Sequence, residues 1–216
     1  MSAFANTFLL VYAALFPIIN PVGGAPLFLG LTQFATEAQR AQLARRVAVN
    51  CFFLLLGSLV VGSHVLEFFG ISLAVVRIAG GLVVSAFGWR LLNSETHIDG
   101  GAEEGGNATI PDSFYPLTMP LTVGPGSMSV AITLGSQRPR FAGLTELLLL
   151  GGAAVAGLAA MALTIYVCYR SAERTVRVLG KTGTGVVVRL SAFILLCIGI
   201  QILWGGLADL LVLKKP

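Results

Sequence analysis

Two short stretches carry the residue pattern with the most chemical potential, Asn20-Pro21-Val22-Gly23-Gly24 and Val123-Gly124-Pro125-Gly126-Ser127. Each puts proline and glycine inside an apolar run. Proline removes a backbone N–H and clashes with the preceding turn, so a helix passing through is broken. A broken helix exposes N–H groups at the new start, which attract anions such as a carboxylate. It also exposes carbonyls at the preceding end, which attract an ammonium group or a cation. Two opposed ends of this kind suit a zwitterion. The substrate-binding candidates are therefore Asn20, Pro21, Gly23, Gly24, Gly124, Pro125, Gly126 and Ser127. The competing reading is a kink used only for packing, which is less economical when two similar breaks recur.

Arg77 and Arg189 each follow two valines inside an apolar run. A guanidinium at such a position needs a partner or a cavity. It is either a ligand or gate for a carboxylate, or a structural clamp whose side chain snorkels to the interface. Asn50, Thr32, Ser129 and Thr133 read as hydrogen-bonding links between helices. Glu146, Asp209 and His64 lie near the ends of apolar runs and read as interfacial.

The surrounding elements are apolar. The chain has 216 residues, with 56% hydrophobic and 11% charged side chains. Its mean hydropathy is +0.86. A soluble domain carries about 25% charge, so water-soluble chemistry is excluded. No charge precedes Glu37, and 113–137, 147–169 and 190–208 are also free of charge. Runs of this length predict membrane-spanning helices. Six apolar segments follow, at about 6–33, 47–66, 71–92, 113–136, 142–169 and 187–213. The first reads as an uncleaved span and not as a signal peptide. The glycine-rich stretch 94–112 reads as a flexible loop. Gly180-Lys181-Thr182 resembles the end of a phosphate-binding loop, but Thr175 stands where that pattern needs glycine. It reads instead as part of a membrane loop. The three cysteines lie far apart, which argues against a disulfide or a metal centre.

The net charge of +4 does not point to nucleic acid, because the basic residues cluster at segment ends. Arg40, Arg45, Arg46, Arg90, Arg170, Arg174, Arg177 and Lys181 fall on one side of six crossings. Arg138, Arg140, Lys214 and Lys215 fall on the other. The positive-inside bias then puts both termini outside the cell's cytoplasm and makes 94–112 a cytoplasmic loop.

The two halves echo each other. Pro17-Ile-Ile-Asn-Pro21 answers Pro120-Leu-Thr-Val-Gly-Pro125. Val75-Val-Arg77-Ile-Ala-Gly80 answers Val187-Val-Arg189-Leu-Ser-Ala192, and Phe69-Gly70 answers Leu179-Gly180. Residues 1–93 and 113–216 are thus expected to be two three-helix repeats. Three crossings is an odd number, so the second repeat is inverted. The expected fold is an all-α polytopic membrane protein with six transmembrane helices, of which the first and fourth are broken. Matched breaks in inverted repeats point to a transport site near the bilayer midplane.

These stretches carry a family likeness. PIINPVGGAPLFLGLT (17–32), FGISLAVVRIAGGLVVSAFGWRLL (69–92), YPLTMPLTVGPGS (115–127) and the run 185–206 resemble the MarC family of bacterial inner-membrane proteins. The resemblance spans nearly the whole chain. It implies six transmembrane helices in two inverted halves and transport of small neutral amino acids such as glycine and alanine. The family's break motifs fall on Asn20, Pro21, Gly23, Pro26, Gly124, Pro125 and Gly126, and its RxxG-like feature on Arg77 and Gly80. Many members have Asn where this chain has Gly24. No cofactor is expected. The expected partners are the amino acid, membrane lipids and a coupling proton or sodium ion. A passive channel or a non-transporting scaffold is the alternative. A membrane enzyme is disfavoured, because the spans hold almost no carboxylate and few histidines.

Overall fold

The computed structural model describes residues 3–93, 111–137 and 143–213. It is built from helices, with no strand among the described residues. The chain starts with α1 (Ala3–Ile19) and α2 (Pro21–Leu31), which meet at a bend of 43°. Between them Asn20 adopts a left-handed conformation, with φ 47° and ψ 58°. Asparagine tolerates this region because its short amide side chain can bond locally. Pro21 then opens α2 at the position where proline fits a helix best.

α3 (Glu37–Phe68) is a 32-residue helix. Thr36 and Gln39 form a reciprocal capping box at its start, which satisfies two N–H groups that a helix start leaves open. It ends at Gly70, which has φ 66°. The Gly70 N–H donates to the Glu67 carbonyl and the Ile71 N–H to the Leu66 carbonyl. That pairing is a Schellman stop, which favours glycine at the left-handed position. α4 (Leu73–Asn93) follows.

The second half opens with a π-helix (Leu117–Thr122), whose interior is non-helical at Met119. Val123 and Gly124 are extended, and α5 (Pro125–Ser136) restarts the helix. α6 (Leu144–Arg170) and α7 (Ala172–Leu213) complete the chain. α7 is broken at Gly180, which has φ 67° and ψ 177°.

Among the described residues, four helices are long and apolar enough to cross a membrane: α3, α4, α6 and the greater part of α7. The number is five if the bent α1–α2 pair counts as one crossing. The fourth expected segment, 113–136, is a π-helix joined to a short α-helix and not one continuous span. Two expected loops are helical. α3 begins at Glu37, well before the apolar run, and α7 begins at Ala172, so Thr182 is helical too. The apolar criterion registers only the stretch matched to lipid, whereas polar turns at helix ends persist once they are capped and paired. Arg40 shows how: it bridges to Glu173 at 2.8 Å, and Glu173 also binds Arg177 at 2.9 Å. Arg40 further donates to the carbonyls of Thr32 and Ala35 at the end of α2. The loop expected over 94–112 lies outside the described residues except for 111 and 112.

The core is shared by α1, α2, α3, the π-helix, α5 and α6. Leu15, Phe28, Leu55, Leu117, Leu158 and Tyr169 are all fully buried in it. α4 and α7 pack on each other in an antiparallel sense through small residues. A Cβ on Gly81 would come within 2.7 Å of the Gly199 carbonyl, and one on Gly206 within 2.7 Å of the Ala74 carbonyl. α2 also packs on α7, and α5 packs on α4. Large apolar side chains such as Phe53, Phe68, Trp89, Leu163 and Trp204 are exposed. Such a surface fits a hydrocarbon surround.

Candidate functional site

The first break largely satisfies itself. The Asn20 N–H donates to the Phe16 carbonyl, and the Asn20 carbonyl accepts from the Gly24 N–H, both at 2.9 Å. Its side-chain oxygen accepts from the Gly23 N–H at 3.1 Å. Pro21 has no N–H. The Gly24 bond is the first regular bond of α2, so the Asn20 side chain takes one N–H group that an anion could have used, that of Gly23. Pro21, Gly23 and Gly24 are buried. A Cβ on Gly23 would lie 2.7 Å from Ser191 Cβ on α7. A Cβ on Gly24 would lie 2.9 Å from the Tyr169 hydroxyl on α6.

Tyr169 connects the two breaks. Its ring stacks on Phe28 of α2 with centroids 4.5 Å apart. Its hydroxyl lies 2.8 Å from Thr122 Oγ1, at the end of the π-helix. Thr122 Oγ1 donates its proton to the Leu117 carbonyl at 2.7 Å. A hydroxyl has one proton to give, so Tyr169 is the donor to Thr122. Asn50 of α3 adds a second tie, donating to Thr118 Oγ1 at 3.3 Å.

The second break is open. Gly124 is the N-cap of α5 and supplies no side-chain hydrogen bond. A helix start leaves its first N–H groups without intrahelical partners, and here no capping side chain takes them among the described residues. Ser127 Oγ donates back to the Gly124 carbonyl at 2.9 Å. Gly126 is wedged against α4: a Cβ there would fall 1.9 Å from Val84 Cγ2. The neighbouring contact is also close, since a Cβ on Gly80 would lie 2.3 Å from Ser129 Oγ.

A cavity of 80 Å³ opens at this point. Gly124, Pro125, Gly126 and Ser127 all line it, with Ile18 at the end of α1. Val83, Val84, Phe87 and Leu195 form apolar walls, and no ionisable side chain lines it. The structure therefore gathers the four candidates of the second break around one space. Asn20, Pro21, Gly23 and Gly24 do not line it; they brace α2 behind it.

The arginines differ. Arg77 Nη1 pairs with Asp209 Oδ2, tying α4 to α7, and both side chains are partly exposed. Arg189 is exposed and has no ion pair among the described residues. Neither lines the cavity. Of the polar residues expected to link helices, Asn50 does so. Thr32, Ser129 and Thr133 instead bond carbonyls of their own helices. Nothing in the sequence marks Tyr169 or Thr122 as part of the site. Tyr169 stands beside Arg170 at the end of an apolar run, where tyrosine ordinarily marks the interface. Among the described residues, no group of three or more His, Cys, Asp or Glu could hold a metal ion.

The description "MarC family integral membrane protein" matches residues 5–211. The chain is 33% identical over 203 residues to membrane protein YvbG of Bacillus subtilis, covering 91% of this chain and 92% of that protein. It is 30% identical over 204 residues to inner membrane protein MarC of Salmonella typhimurium, with the same coverage of 91% and 92%. A membrane protein of Archaeoglobus fulgidus is 28% identical over 214 residues, covering 98% and 97%. No solved structure matches. With the apolar helices, the two breaks and a match along almost its full length, the chain belongs to the MarC family of integral membrane proteins.

Proposed function

We propose that the protein is a secondary transporter of small neutral amino acids, of glycine or alanine size. The observation that carries this reading is the small cavity between the end of α1 and the uncapped start of α5. The α5 end offers N–H groups and a positive helix-dipole end for a carboxylate. Ile18 at the α1 end also lines the cavity, one residue from the Pro17 carbonyl, to which Pro21 cannot donate as a helix would require. A space of 80 Å³ corresponds to a few water molecules at about 30 Å³ each. That is the scale of a very small solute. The walls of Val83, Val84 and Phe87 suit a hydrogen or methyl side chain, and a charged side chain would meet no counter-charge. The amino-acid class itself rests on the family resemblance, and the cavity's size and lining agree with it.

Six crossings in two inverted repeats supply the machinery for alternating access, with both termini periplasmic and a bacterial inner-membrane location. Three features support the repeats. α4 and α7 are antiparallel, α2 packs on α7 as α5 packs on α4, and Gly70 and Gly180 share a left-handed φ of 66° and 67°. A proton, a sodium ion or exchange would drive net movement. Purified protein in liposomes should take up labelled glycine or alanine saturably, and Pro125→Ala should reduce the rate. Ohmic, non-saturable flux would favour a channel. No movement of any amino acid under any gradient or by exchange would reject transport.

A further inference from the structure

A wider groove of 620 Å³ runs between α3 and α6. Ala48, Phe52, Phe53 and Leu163 line its length, with Arg45 and Tyr166 among its other walls. Phe53 and Leu163 are 64% and 61% exposed, so the groove opens sideways toward the surround of the helices. Arg170 donates to the Tyr166 hydroxyl at 2.6 Å and sits 5.8 Å from its ring centroid.

This end of the bundle is basic and unevenly paired. Arg40 and Arg177 share Glu173. Arg45 and Arg170 are both exposed and form no ion pair among the described residues. An apolar trough with Arg45 in its wall and Arg170 on the hydroxyl of its Tyr166 wall, neither with an ion pair among the described residues, is complementary to one kind of molecule. It needs an acyl chain for Phe52, Phe53 and Leu163 and a net negative phosphate-bearing head for the arginines. Basic pockets between transmembrane helices bind anionic head groups in this way, and a guanidinium matches a phosphate in a two-pronged fashion. We propose that the α3–α6 groove is a binding site for an anionic glycerophospholipid, with its phosphate at Arg45 and Arg170. The inference is independent of what the small cavity carries.

The test is native mass spectrometry of the full chain, released from vesicles of equal phosphatidylglycerol and phosphatidylcholine with identical acyl chains. Wild type should retain phosphatidylglycerol over phosphatidylcholine by roughly tenfold or more. The Arg45→Ala, Arg170→Ala double variant should lose that preference while keeping its melting temperature, because both side chains are exposed. Ala162→Trp, which fills the groove, should lower retention of both lipids. Equal retention of the two lipids by wild type would overturn the proposal. So would a preference unchanged in the double variant, or a lipid-free mass of two chains, which would give the groove to a second copy.

Discussion

The Tyr169 hydroxyl on α6 donates to Thr122 Oγ1 across 2.8 Å, with both residues buried. The same ring stacks on Phe28. One side chain thereby fixes α2, the brace of the first break, against the π-helix that leads into the second. Tyr169→Phe should retain the stacking and lose the bond. Bonds of this kind inside membrane proteins average about 0.6 kcal/mol, so a small loss of thermal stability is expected in detergent. Transport should fall by more than that loss explains, because α2 and the second break are uncoupled. Tyr169→Ala, which also empties the ring's site, should cost about 3–5 kcal/mol.

Gly24 and Tyr169 form a steric pair, since a Cβ at 24 would lie 2.9 Å from the hydroxyl. Gly24→Ala should destabilise the wild-type background and be better tolerated with Tyr169→Phe. A double-mutant cycle of melting curves reads the coupling. Additive effects would mean that Tyr169 moves aside freely.

Gly126 is the tightest point between α4 and α5, with a built Cβ only 1.9 Å from Val84 Cγ2. Gly126→Ala should cost about 1–3 kcal/mol, as overpacking does, and should reduce transport. Val84→Ala in the same chain should restore much of both. Thermal melts and flux in liposomes check the two readouts together.

Arg77 and Asp209 hold α4 to α7 at a site where the side chains are 28% and 47% exposed. Exposed ion pairs contribute about 0–1 kcal/mol, so Arg77→Ala should change stability little. If the pair is a clamp, exchanging the two charges should restore whatever is lost, and the substrate KM should not move. Arg189→Ala should be silent in both assays. A large rise in KM with Arg77→Ala would make this arginine a substrate contact.

The two breaks were legible because proline and glycine act through the backbone, whose consequences follow from sequence directly. The likeness of Phe69-Gly70 to Leu179-Gly180 marks a repeat in the sequence, and both glycines prove to be left-handed in φ. The starts of α3 and α7 were not anticipated. Their first turns are polar, and apolar run length is blind to them, although Thr36 and Gln39 have the spacing of a capping box. The difference between the breaks is not visible in the two motifs either. Asn20 has a side chain that caps its own helix, whereas Gly124 has none, so symmetric motifs produce one closed and one open end. Tyr169 was hidden for a different reason: burial depends on which helices surround it, and its neighbours in sequence suggest an interface.

The proposed substrate site is the open end, at the start of α5. A structure determined with saturating alanine tests it most directly. Density is expected in the cavity between Ile18 and residues 124–127, with the carboxylate on the first N–H groups of α5. Density elsewhere in the protein, or an empty cavity at saturation, would contradict it.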